Sequence, residues 1–365
     1  MQAWALQQVL KRMGHEPETI VLCHARRLGL PLLLRRCLSV LKCLCKRYLL
    51  GQKGVYIYSI FSPTYNPKLP RYADAEFVRR ICLTKRLRID ENLAKYVGKR
   101  GYDAFVVGSD QVWREEYSPL ITHYFLDFLQ KGDKRPKIAY AASFGKSYDY
   151  ISADNMPRCR ELLARFNAVS VREGEGIEIL ERDFDFHDGI KVLDPTLLLH
   201  IEDYKRLICD ADRKAEPHIA AYVLDKSREK DIMLEEIGIS LNLPSTSFSI
   251  DGNGESMLTI SQWLAQFGSA DYVFTDSFHG CVFSILFHKP FIAVGNRDRG
   301  LDRFVSLLRD LNLEERLVMS LDDFSARKEE LMTCPDYSMV EHRLAVLRSG
   351  SLNFLSAALN HSNDD

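Results

Sequence analysis

Asp271-Tyr-Val-Phe-Thr-Asp-Ser-Phe-His-Gly-Cys-Val-Phe-Ser-Ile-Leu-Phe-His-Lys-Pro-Phe-Ile-Ala-Val-Gly295 is the stretch whose reading decides the fold. A short apolar run, Tyr272 to Phe274, leads into the polar tip Thr275-Asp276-Ser277 and then into His279-Gly280. About two turns of apolar helix follow, and Pro290 restarts a second buried strand. Strand, polar turn, helix and strand make one right-handed parallel crossover unit. In open parallel sheets, ligands bind beyond the carboxyl ends of the strands, where helix N-termini offer free backbone N–H groups to anions. His279 is therefore expected at an anion-facing position. The competing reading is an Asp/Ser helix cap with a histidine that finishes the turn.

The same alternation runs outward along the chain. Apolar runs predict strands at 104–107, 137–142, 168–171, 191–193, 218–224, 272–274 and 291–294. Helical spacing predicts helices at 74–97, 156–166, 176–183, 225–239, 260–267 and 303–312. Alternation of this kind argues for an α/β protein with parallel sheets. The polar stretch 203–217 is the expected domain boundary, which gives domains 1–205 and 206–335. Residues 336–365 form a last helix, expected to pack back on the first domain, and a frayed tail.

A length of 365 residues fits two domains. The nine cysteines are odd in number, scattered and without a Cys-x-x-Cys pair, so they read as reduced core thiols of a cytosolic protein. Cys43-x-Cys45 has no matching His or Cys pair, which argues against zinc. Net charge is −1, and no nucleic-acid partner is expected. The charge is uneven, however: 19–73 holds no acidic residue against ten basic ones. Within it, Leu34, Cys37, Leu38, Leu41, Leu44 and Cys45 recur at helical spacing, with Arg35, Ser39, Lys42 and Lys46 on the other face. Arg35, Arg36 and Lys42 interrupt the run, so it is not a membrane span. Peripheral contact of 32–50 with the anionic inner face of a membrane stands as one expectation, packing on the core as the other. The opening from Ala3 to Gly14 reads as a helix ending in a glycine cap and not as a signal peptide.

Three more polar clusters stand at the ends of predicted strands. They are Gly108-Ser109-Asp110-Gln111-Val112-Trp113, Ser143-Phe144-Gly145 and Arg172-Glu173-Gly174-Glu175-Gly176. Asp110, Ser143, Arg172 and His279 are expected to face one crevice, because scaffold turns seldom need such residues at four strand ends. The Gly174-Glu-Gly176 pair is not a dinucleotide fingerprint: Ile179 stands where the third glycine belongs, and Glu173 and Glu175 would repel a pyrophosphate. Asp185-Phe-His187-Asp188 reads as a solvated loop. Arg297, Arg299 and Arg303 follow Val294, and arginine's planar fork suits carboxylates and phosphates.

Gly-Ser-Asp-Gln-Val-Trp (108–113), Tyr124-Phe-Leu-Asp-Phe128, Ile138-Ala-Tyr-Ala-Ala-Ser-Phe-Gly145, Ser170-Val-Arg-Glu173, Leu193-Asp-Pro-Thr-Leu197 and Thr275-Asp-Ser-Phe-His-Gly280 occur in this order. Together, over about residues 1–320, they resemble the polysaccharide pyruvyl transferase family. The resemblance implies two Rossmann-like domains facing a cleft, as in GT-B glycosyltransferases. It implies transfer of a pyruvyl group from phosphoenolpyruvate to sugar hydroxyls, often on a lipid-linked cell-surface glycan, with no metal or cofactor. His279, Arg172 and Asp110 are then the catalytic candidates: phosphate ligand or proton donor, anion clamp, and acceptor-side base. Ser109, Gln111, Trp113, Ser143, Asp276, Ser277, Arg297 and Arg303 are the expected binding residues, with Asp276 orienting His279. Some members carry a second arginine two positions before the histidine, where this chain has Ser277; Arg297 or Arg303 is expected to replace it. Related chains also resemble a first strand and an Asn-Tyr-Gly loop ahead of the first helix, so a natural start upstream, or a cleft lacking that part, is expected. A GT-B glycosyltransferase using a nucleotide sugar and a non-catalytic glycan-binding homologue remain the alternatives.

Overall fold

The computed structural model describes residues 1–23, 74–88, 93–118, 120–213, 216–248, 258–295 and 300–360. The segment 32–50 and Arg297 lie outside them, so the membrane-contact expectation and that arginine are not placed. Contacts divide the chain into two compact units, one of 1–17, 72–82 and 101–365, the other of 18–71 and 83–100.

In the smaller unit, β1 (Leu22–Cys23) pairs in parallel with β2 (Leu87–Arg88), and Thr19 bridges Leu83. The Thr84 hydroxyl accepts from Val21 N at 3.0 Å. These pairings correct the single helix expected over 74–97. Short helices stand at Ala75–Arg79 and Leu93–Gly98 instead, with β2 between them. Backbone partners at 19–21 outcompete the helical period there. Cys82, in the larger unit, is likewise tied up, exchanging two hydrogen bonds with the Gln7 side chain at 2.8 and 2.9 Å.

The larger unit holds two parallel sheets. The first has the order β3 (Phe105–Val107), β4 (Lys137–Ala142), β5 (Ala168–Val171) and β6 (Ile190–Lys191). The chain then passes to β7 (Ile219–Tyr222), β8 (Ser245–Phe248), β9 (Tyr272–Thr275), β10 (Phe291–Val294) and β11 (Leu317–Val318), arranged in space as 11-10-9-7-8. β7, β9 and β10 are buried along their whole length, which is why they read as unbroken apolar runs. The strand order reverses between β7 and β9, the kind of point beyond which open parallel sheets bind ligands.

One apolar cluster joins Tyr140 and Leu193 to Val273, Phe283 and Phe291. Phe283 sits 4.9 Å from Trp263 and 5.0 Å from Tyr204, ring to ring, each worth about 0.5–1.5 kcal/mol beyond area burial. The last helix, Tyr337–Asn360, reaches the first sheet and the loop that follows it. Its Ser351 hydroxyl accepts from Leu193 N at 3.0 Å, Arg348 Nε donates to Leu197 O at 2.9 Å, and Phe354 meets Tyr140. Among the described residues there are thirteen α-helices, and none is long and apolar enough to cross a membrane.

Candidate active site

The turn after β9 is held by its own side chains. Thr275 Oγ1 donates to Tyr222 O at 2.7 Å and accepts from Ser277 N at 3.1 Å, which locks β9 to β7 at the reversal. Ser277 caps the helix Phe278–Leu286, accepting from Gly280 N. Residue 280 has to be glycine, because a Cβ there would stand 2.1 Å from Thr275 Oγ1. Asp276 does not take the expected place beside His279. Its oxygens accept from Leu224 N at 2.6 Å, Asp225 N at 2.9 Å and Lys230 Nζ at 2.7 Å, so they are committed to the loop after β7.

His279 emerges from this turn with its Nε2 buried and without a hydrogen-bond partner. Burial lowers the imidazole below its usual 6.5, against the pull of Asp194 and Asp110. The ring is therefore mostly neutral near pH 7.

Arg172 comes from the end of β5, with its side chain 2% exposed. Nη1 donates to Asp194 Oδ2 at 2.9 Å. Nη2 lies 3.7 Å from Asp110 Oδ1 and Nε lies 3.5 Å from Glu173 Oε2, yet neither nitrogen makes a hydrogen bond. The guanidinium sits 4.9 Å from the Phe278 ring centroid, within cation–π range. Burial disfavours its charge, but Glu173, Asp194 and Asp110 outweigh that and raise its pKa.

Asp194 caps the short helix Pro195–Leu198 and is saturated. It accepts from Thr196 N at 3.0 Å, Thr196 Oγ1 at 2.6 Å, Gln2 Nε2 at 2.6 Å and Arg172. Despite burial, the charges of His279 and Arg172 and the Thr196 bonds hold its carboxyl down at about 2.

Glu173 is 5% exposed. Its Oε1 accepts from the Ser143 hydroxyl, and its Oε2 has no hydrogen-bond partner. Ser143 Oγ accepts in turn from Gly145 N at 3.0 Å.

After β3, Asp110 adopts φ +82, its backbone oxygen accepting from Ser143 N at 3.1 Å, and its side chain is 56% exposed. Such a left-handed non-glycine residue persists where its surroundings over-determine it, often at functional sites. Ser109 Oγ is buried and unbonded. Gln111 accepts from Arg114 Nη1 at 3.0 Å. Trp113, expected to touch substrate, is wholly buried instead. It packs on Phe125 and Phe144, and its Nε1 donates to Tyr124 O at 3.2 Å.

Arg303, in the first turn of the helix Leu301–Leu311, lies 5.8 Å from the same Phe278 ring. Burial and the neighbouring Arg172 charge lower its pKa. It stands as a second guanidinium close enough to Arg172 for the two charges to interact. Gly300 approaches Gly145 so closely that a Cβ there would lie 2.8 Å from Gly145 O. Between these loops is a small, partly open pocket whose lining includes Phe144, Lys146, Glu173, Glu175, Asp302 and Arg303. Burial and the carboxyl of Asp302 push Glu175 up to about 7. Gly176, from the rejected dinucleotide pattern, packs its helix onto β5, a Cβ there standing 2.9 Å from Val171.

Of the expected residues, the structure brings Asp110, His279 and Arg303 within electrostatic reach of Arg172. Ser143, Asp276, Ser277 and Trp113 have internal tasks. Asp194 and Glu173 were within motifs read from the sequence, but neither received a role. The signal for Asp194 was Asp-Pro-Thr, a helix cap followed by a first-turn proline.

Buried nitrogens without partners, on Arg172 and His279, stand just beyond the ends of β5 and β9 of this α/β protein, where open parallel sheets place their ligand sites. The chain belongs to the polysaccharide pyruvyl transferase family, whose family model matches residues 1–299. No curated protein matches it.

Proposed function

We propose that the protein transfers a pyruvyl group from phosphoenolpyruvate to hydroxyls of a sugar in a polysaccharide precursor, forming a ketal. The observation that supports this best is Arg172 with two buried, unbonded nitrogens, together with the unbonded Nε2 of a His279 whose imidazole feels the Arg172 charge. Leaving such groups unbonded costs about 1–3 kcal/mol each, a cost a ligand anion removes. Phosphoenolpyruvate carries a carboxylate and a phosphate. Two guanidiniums, Arg172 and Arg303, suit two anionic groups, and both lie within cation–π range of Phe278.

The reaction needs a proton on the methylene carbon C3. His279 is mostly neutral in the free protein, and two incoming anionic groups raise its pKa. The ring then takes up a proton with the donor and holds it for C3. Phosphoenolpyruvate affinity should therefore weaken as pH rises above the free imidazole's value, which lies below 6.5, approaching tenfold per pH unit. Calorimetry in two buffers of different ionisation enthalpy should show close to one proton taken up.

The direct test is phosphate release from phosphoenolpyruvate across galactose-, mannose- and N-acetylhexosamine-based acceptors. His279→Ala and Arg172→Ala should each abolish it, and near-normal activity in either sinks the assignment. Competition by nucleotide sugars would favour the glycosyltransferase instead.

A further inference from the structure

Arg172 Nε and Glu173 Oε2 lie 3.5 Å apart, both buried and both outside any hydrogen bond. An unbonded donor beside an unbonded acceptor suits an anionic oxygen arriving next to a hydroxyl. Those are the two groups that pyruvyl transfer must bring together. Glu173 is fixed for such a task. The Ser143 hydroxyl, itself fixed by the Gly145 N–H, holds Oε1, which leaves Oε2 to a ligand, and the residue lines the pocket that Arg303 and Phe144 also line. Asp110, the acceptor-side base expected from the sequence, has a side chain 56% exposed. A carboxylate open to water is the weaker base for a reaction that must exclude water.

We propose that Glu173 takes the proton from the attacking sugar hydroxyl and that Ser143 is its positioning residue, a proposal that rests on the pyruvyl-transfer reading. C3 of phosphoenolpyruvate receives a proton from His279, which leaves C2 electron-poor. The hydroxyl oxygen bonds to C2 while its proton passes to Glu173 Oε2. The C2–O bond to phosphate then breaks, and phosphate departs with the electron pair. A second hydroxyl of the sugar closes the ketal at C2. Of the two hydroxyl protons, one replaces the proton given to C3 and the other leaves on phosphate.

The test compares Glu173→Gln, Glu173→Asp, Ser143→Ala and Asp110→Asn in the full chain, with phosphoenolpyruvate binding and turnover measured separately. Glutamine keeps an acceptor for Ser143, so Glu173→Gln should bind phosphoenolpyruvate within about threefold of wild type. Its kcat should fall about 10²–10⁴-fold. Glu173→Asp should recover part of that loss, and Ser143→Ala should lower kcat about tenfold with KM for phosphoenolpyruvate unchanged. The pH–rate limb that reports the base should vanish in Glu173→Gln and persist in Asp110→Asn. Glu173→Gln with kcat within threefold of an active wild type overturns the inference alone, as does loss of that limb in Asp110→Asn. A wild type that never releases phosphate from phosphoenolpyruvate overturns the functional reading and the inference together.

Discussion

The ends of β5 and β6 both deliver a buried carboxylate to Arg172, and they leave it in opposite conditions. Asp194, beyond β6, accepts four hydrogen bonds. Glu173, beyond β5, has one oxygen held and the other unbonded. A saturated buried charge fixes geometry, whereas a half-satisfied one stores free energy that a ligand can release. One carboxylate orients the guanidinium, and the other waits beside it.

Exchanging each for its amide tests that difference. Asp194→Asn breaks the buried pair that Arg172 hydrogen-bonds, leaving only Glu173 and Asp110 as its neighbouring charges, and should lower unfolding free energy by about 3–5 kcal/mol, read by denaturant titration. Glu173→Gln should cost stability only about 1 kcal/mol, because its Oε2 has no bond to lose. If the two losses come out equal, the distinction between them collapses.

A smaller effect appears with pH. Asp194 is depressed from 3.8 to about 2, so its stabilisation is complete above the unfolded value and is lost as pH falls from 3.8 towards 2. The loss is on the order of 2 kcal/mol. Unfolding midpoints measured between about pH 5 and pH 2 should fall for wild type and flatten in Asp194→Asn.

The smallest effect belongs to Glu175 and Asp302. Glu175 is raised from 4.5 to about 7, so the pair loses stability as pH rises through that window. Asp302→Asn should raise the Tm at about pH 8 by no more than a few degrees, since both groups meet solvent. No rise, or a fall, would mean that the carboxyls do not repel.

The same contrast explains what the sequence revealed. β3, β4, β5, β9 and β10 were legible because they are short apolar runs that end in polar tips. β8, Ser-Thr-Ser-Phe, was not: it is an edge strand whose Ser245 and Ser247 are exposed, so nothing in its pattern marks burial. Arg172 and His279 stood out by residue type and position. Glu173 was read by its charge as an obstacle to a phosphate ligand. Its role depends on which oxygen Ser143 takes, and that is decided only where β4 and β5 lie side by side. Trp113 misled for the opposite reason, as proximity in sequence to Asp110 says nothing about which face of the turn a ring occupies.

The brace on the Asp194 loop has a consequence for timing. Leu193 and Leu197 are secured by Ser351 and Arg348, partners 158 and 151 positions further along the chain. At about 5–20 residues per second, a ribosome adds those partners roughly 8–30 s after the loop. Until then the loop of the carboxylate that aims Arg172 rests on its earlier partners alone, Gln2, Tyr140 and Tyr204. The nascent protein can hold both sheets and still lack a working clamp, so competence for chemistry arrives late, with the closing helix.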